Sequence, residues 1–187
     1  MNKAKLALGA VLAIEGLGAL SRFNARKRGF AAAVLRAKIL KRKLIVVGSP
    51  DTGMHTRLLR AYGCGDVCVD LVGCGECPDS ISADITRGPV AGIANDSAVV
   101  FVSCVLEYVS DPFAAWREVV RMAGSPTNVF MVSVQPWTIT SALYPGSQWA
   151  IYGEPPVANG FEVAPVRPHV KLAYASVLGA LSYFAFR

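Results

Sequence analysis

Residues 44–47, 67–71, 97–104 and 129–134 are short apolar runs closed off by glycine, aspartate or proline. Between several of them lie stretches with helically spaced apolar residues. Strand alternating with helix is the pattern of a parallel sheet, so the middle of the chain reads as an α/β domain. In residues 54–62 the helical spacing is carried by Met54, Leu58 and Leu59. Asp111-Pro112 is a strong helix start, because aspartate caps free backbone N–H groups and proline suits the first turn. Phe113, Trp116 and Val120 share one face of that helix, the expected core face, and Arg117 with Glu118 reads as its solvated face. Gly124 and Pro126 then terminate it. A chain of 187 residues can bury one sizeable core.

The ends of the chain differ from this middle. Hydrophobic residues make up 53% of the sequence and charged residues 17%. Much of the apolar surplus lies in residues 4–20 and 172–186. Behind the first run come Arg22, Arg26, Lys27, Arg28, Arg36, Lys38, Lys41, Arg42 and Lys43, so that residues 1–43 carry +10 and residues 44–187 carry −4 of the net +6. A cationic arm on a mildly acidic body indicates an anionic partner for the arm, and the adjacent apolar run makes membrane lipid headgroups the first choice over nucleic acid. Residues 1–22 are therefore expected to form an apolar anchor helix, single-pass or peripheral, with residues 23–43 as a basic amphipathic linker. A packed amphipathic helix and a removed signal are the other readings of the run. Glu15 would have to face a partner, the headgroups or a protein groove. The excess of Lys and Arg behind the run places the main domain on the cytoplasmic side.

Five cysteines without a clean export signal indicate a reducing compartment with buried or idle thiols. Cys64, Cys68, Cys74 and Cys77 have only one familiar zinc-ligand spacing among them, so no metal site is expected. Cys104 reads as a small strand-end residue and His55 as an exposed first-turn histidine. Residues 137–170 hold five prolines and read as an extended loop, and residues 171–187 as a C-terminal apolar helix.

Two stretches of the α/β region resemble a known family. The strand Leu44-Ile45-Val46-Val47 runs into Gly48-Ser49-Pro50-Asp51-Thr52-Gly53, then Met54-His55-Thr56-Arg57. Farther on, Val105-Leu106-Glu107-Tyr108 precedes Asp111-Pro112 and Trp116-Arg117-Glu118-Val119. In this order the segments resemble the class I S-adenosylmethionine-dependent methyltransferases, specifically the type 11-like group that acts on small molecules and lipids. The resemblance implies a Rossmann-like fold over residues 44–136, truncated after about five strands. It implies S-adenosylmethionine as cofactor, with Gly48 and Gly53 in the cofactor loop, Asp70 at the ribose and Asp84 beside the adenine. Glu107 and Tyr108 would line the reaction side; no catalytic residue is assigned. The chain departs from the family pattern at Val46, where an acid is usual, and at Pro50, where a second glycine is usual.

Two functions follow from the resemblance. One is a degenerate, non-catalytic domain, a pseudoenzyme kept as a structural or assembly subunit of a membrane-associated complex with other protein subunits. The other is an active membrane-tethered methyltransferase acting on a lipid, quinone-like or other small-molecule acceptor.

Overall fold

A computed structural model of the chain describes residues 3–51, 60–134, 138, 146–157 and 160–165, with only the backbone at residues 4, 152–157 and 160–165. Gly53, His55 and the apolar C-terminal segment 171–187 lie outside the described residues. The elements are α1 (Lys3–Leu40), β1 (Lys43–Val47), β2 (Val67–Asp70), β3 (Ser80–Ser82), β4 (Ala98–Ser103), α2 (Pro112–Ala123), β5 (Val129–Val132), β6 (Trp149–Val157) and β7 (Gly160–Pro165). A single 3₁₀ turn, Pro126–Asn128, joins α2 to β5.

The first five strands form a parallel sheet in the order β3-β2-β1-β4-β5, a Rossmann-like arrangement. Its central strands are apolar on both faces because both are covered, as parallel sheets require. Ile45 and Val47 of β1 and Val100 and Val102 of β4 pack toward Ala115, Val119 and Met122 of α2. The alternate residues Leu44, Val46, Val99 and Phe101 pack toward Ala33 and Ala37 of α1. Phe30, Tyr62 and Phe101 join this second layer, with the Tyr62 and Phe101 rings 5.2 Å apart and tilted edge-on.

α1 departs from the expected linker over residues 23–43. The apolar and basic stretches form one uninterrupted helix, and residues 23–40 are a layer of the domain. Phe23, Ala25, Phe30, Ala33, Val34, Ala37 and Leu40 all belong to the core on that face. The helix approaches closely because Gly29 carries no side chain: a Cβ there would sit 3.3 Å from Cε2 of Phe101 and 3.5 Å from Cγ2 of Val132.

Contacts along α1 fix its direction. Arg42, just beyond the helix, pairs with Asp96, which precedes β4, at 2.6 Å. Arg36 donates to Asn128 Oδ1, just before β5, at 3.0 Å. Arg26 reaches Cys104, just past β4, at 3.1 Å. Arg22 reaches Thr138, beyond β5, at 3.4 Å. The helix thus runs antiparallel to the strands, and its first half projects past the edge where the strands end. Leu6, Leu12, Ile14, Leu17 and Leu20 on that half are at least half exposed. Among the described residues α1 alone is long and apolar enough to cross a membrane.

Four other expectations change. The face of α2 turned to the core is Ala115, Glu118, Val119 and Met122, leaving Phe113 48% exposed. Glu118, expected in solvent, is buried: it accepts from Val90 N at 2.9 Å and pairs with Arg121 at 2.6 Å. An ion pair held by a backbone donor supplies the partners that a buried carboxylate needs. Residues 137–170 are not wholly loop, since β6 and β7 pair as an antiparallel hairpin. The cysteines are not idle thiols either. Cys64 pairs with Cys77 and Cys68 with Cys74, tying the β1–β2 and β2–β3 connections together on the α1 face. The cap residues behave as the sequence predicts. Asp111 Oδ1 accepts from Phe113 N and Ala114 N at 2.9 Å, and Gly124 closes α2 with φ 71°.

Two measurements check this architecture. Gly29→Leu should destabilise the chain by about 2 kcal/mol in urea unfolding, because added carbons must displace Phe101 or lift α1. Peptide mapping after alkylation without reduction should recover the linked pairs Cys64/Cys77 and Cys68/Cys74, with label on Cys104.

Candidate functional site

In an open parallel sheet the connections leaving neighbouring strands diverge where the strand order reverses, and ligands bind in the crevice beyond the strand ends. Here the reversal lies between β1 and β4. The residues beyond those ends are Gly48 and Ser49 after β1, Asp70 at the end of β2, Cys104 after β4 and Ser133 after β5.

Gly48 is locked in place. Its φ is +99°, and a Cβ would meet the Ser103 carbonyl oxygen at 2.8 Å and Cγ2 of Val105 at 2.7 Å. The turn after β1 is therefore pressed against the end of β4, an approach open only to glycine. Gly48 N donates to Val69 O at 2.9 Å. From beneath, the Tyr62 hydroxyl donates to Ser49 O at 3.0 Å. Burial pushes the Tyr62 phenol up to about 12, so it remains a donor at any physiological pH.

Asp70 stands beside this turn. Its Oδ2 accepts from Ser49 N at 2.8 Å and its Oδ1 from Val72 N at 3.3 Å. Asp84 lies two residues beyond β3 and anchors its own turn. The Thr86 hydroxyl at 2.6 Å, then Thr86 N at 3.0 Å, hold its carboxyl below the usual carboxylate range, with Arg87 adding to the effect. The structure thus brings Gly48 and Asp70 together, with Asp84 one strand farther out.

Glu107 and Tyr108 lie across the crevice, on the turn after β4. Glu107 is buried; its Oε1 accepts from Val134 N, and its carbonyl accepts from Gln148 N at 2.8 Å and Trp149 N at 3.1 Å. The residue pins the β4 turn to the end of β5 and the start of β6. Burial pushes its carboxyl up to about 7, against the pull of the Val134 N–H and Arg26. Its Oε2 has no hydrogen-bond partner among the described residues. The Tyr108 carbonyl accepts from Gln148 Nε2 at 3.3 Å.

The sequence did not single out Arg22 and Arg26, whose guanidinium groups reach this edge from α1. Arg26 Nη2 donates to Cys104 Sγ, and Cys104 takes the uncommon φ of 51° with its N–H on Val132 O at 2.7 Å. Desolvation pushes the Cys104 thiol up to about 11, Glu107 adds to this, and Arg26 opposes it. A thiol held protonated is a poor nucleophile. The helical spacing of Gly29, Ala33 and Ala37 was the available signal for the arginines: small residues mark the face against the sheet, and that face continues back through Arg26 and Arg22. Glu15 lies within electrostatic reach of Arg22, which gives that carboxylate a cation on its own helix. Among the described residues no group of His, Cys, Asp and Glu has the arrangement to hold a metal.

No family model, curated protein or solved structure matches this chain. The fold assignment therefore rests on the sheet itself.

Glu107 gives this site a pH dependence. Its carboxyl is neutral in the folded chain to about pH 7, whereas the unfolded chain ionises near 4.5. The stabilising effect of the neutral form is complete below pH 4.5 and is lost as pH rises through 7. Thermal unfolding of the wild type should weaken from pH 5 to pH 8. Glu107→Gln, which keeps an oxygen for Val134 N, should remove most of that slope, a difference of about 3 kcal/mol at most.

Proposed function

We propose that this chain is a membrane-tethered, methyltransferase-like α/β domain working as a non-catalytic structural or assembly subunit of a membrane-associated complex. The observation that carries this reading is the state of Asp70. It occupies the position that the resemblance gives to the ribose, yet both its carboxylate oxygens accept main-chain N–H groups from the turns framing the crevice. A ribose would have to share these oxygens with Ser49 N and Val72 N, and each main-chain bond already made leaves one acceptor site fewer for its hydroxyls. Pro50 has no N–H to offer in return. Glu107, assigned to the reaction side by the same resemblance, is engaged in joining three segments of the fold.

An active methyltransferase is the second reading, acting on a lipid, quinone-like or other small-molecule acceptor. It is favoured by register. Val47 and Val69 pair across β1 and β2, which sets Gly48 beside Asp70 at adjoining strand ends. Two disulfides favour an oxidising compartment for the domain over the cytoplasmic side that the basic flank implies.

Calorimetric titration of the full chain with S-adenosylmethionine separates the two functions. No heat of binding is expected up to millimolar cofactor. Micromolar binding that disappears in Asp70→Ala would overturn the non-catalytic reading and establish the pocket as functional.

A further inference from the structure

Three features of the molecule converge on one edge. The first is the exit of α1. Its packed half ends near Arg22, beyond the C-terminal ends of β4 and β5, and the apolar half continues outward from there. Residues 3–20 make about 27 Å of helix at 1.5 Å per residue, close to the roughly 30 Å hydrocarbon thickness of a bilayer.

The second is the placement of exposed apolar side chains on the domain. Leu71 and Val72, in the turn directly after β2, are 65% and 79% exposed. Phe113 lies in the first turn of α2, after β4 and on the sheet face opposite α1, and is 48% exposed. All three belong to the edge from which α1 departs. Apart from these and the projecting half of α1, the exposed large apolar residues among the described ones are Leu35 and Ile39, on the outer side of α1.

The third is charge. Several ionic groups at this edge are paired with one another, Arg60 with Asp51 at 2.8 Å and with Glu76 at 3.4 Å and Arg87 with Asp84 at 3.1 Å, while Asp70 and Asp111 accept from main-chain N–H groups. The basic residues of α1 are strung along the helix. Residues 22–38 span about 24 Å, so Lys38 lies far from the edge. Arg22 and Arg26 turn toward the domain, leaving Lys27 and Arg28 as the exposed cations near the exit.

We propose that the C-terminal edge of the parallel sheet lies flat against the lipid bilayer, with Leu71, Val72 and Phe113 entering the headgroup layer around the base of α1. The proposal rests on α1 being the membrane anchor and adds the orientation of the domain. The contacts are not in a line. α1 departs on one face of the sheet, Phe113 stands on the helix that covers the other, and Leu71 and Val72 follow β2, toward the β3 side. Three separated contacts define a plane, whereas a tether alone leaves the domain free to tilt. The attachment is mainly apolar, so uncharged phosphatidylcholine suffices. It also places the crevice between β1 and β4 at the membrane surface, where an amphiphile or a membrane partner reaches it directly.

The test uses the full chain reconstituted in phosphatidylcholine vesicles carrying bromine on the acyl chains, which quenches tryptophan at close range. Val72→Trp places a reporter at the docking edge. Ala94→Trp places one before β4, at the opposite edge, and both positions are exposed enough to take the ring. Relative to wild type, the added emission of Val72→Trp should fall by about a factor of two or more, as expected for a side chain at the headgroup and acyl boundary. That of Ala94→Trp should be unaffected. Unquenched Val72→Trp on chain that floats with the vesicles would overturn the orientation and leave the anchor standing. Equal quenching at both sites would also overturn it. Failure of wild type and both variants to float with the vesicles would remove the anchor, and this proposal with it.

Discussion

The close contact of α1 with the sheet organises the rest of the molecule. Gly29, Ala33 and Ala37 let the helix axis approach β4 and β5, and Phe101 fills the space beside them with Phe30 and Tyr62. A parallel sheet needs cover on both faces, and α1 supplies much of it on the face opposite α2. That contact also fixes where the arginines reach. With the helix antiparallel to the strands, Arg36 and Arg42 meet Asn128 and Asp96 at one edge, while Arg22 and Arg26 meet Thr138 and Cys104 at the other.

Strand positions were readable from the sequence because a doubly covered strand is apolar at nearly every position, as in β1 and β4, and survives errors of a residue at either end. The ends of α2 were equally readable, since Asp111, Pro112 and Gly124 act locally. What escaped was whatever depended on distant partners. Glu118 reads as a surface residue until Val90 N and Arg121 are seen around it. The basic residues of α1 read as a linker because charge dominates their local texture, while the small residues that fit the sheet carry little hydrophobic signal. The cysteines pair across connections whose approach is set by the β1–β2–β3 order, and sequence spacing does not contain it.

The candidate site was legible in position more than in state. Gly48 and Asp70 stand together because β1 and β2 are neighbours. The hydrogen bonds they make belong to this chain. Gly48 is wedged against Ser103 and Val105, Asp70 is bonded to two turns, and Glu107 is drawn inside to hold Val134. Polar groups facing a ligand are normally left to water until the ligand arrives. Here the fold itself satisfies several of them, which rigidifies the edge and raises the cost of any guest that must displace those bonds.

The continuity of α1 makes its apolar first half and the domain one mechanical part. A helix without a hinge fixes azimuth as well as height. Each residue added between Leu20 and Arg22 would turn the domain by about 100° around the helix axis and raise it by about 1.5 Å. A whole turn restores the original heading at a new height, while a single residue swings Leu71 and Phe113 to a different bearing. The chain thus behaves as an axle with a keyed wheel, and its length between the apolar half of α1 and the sheet is constrained in phase, a restriction that a flexible tether would never impose.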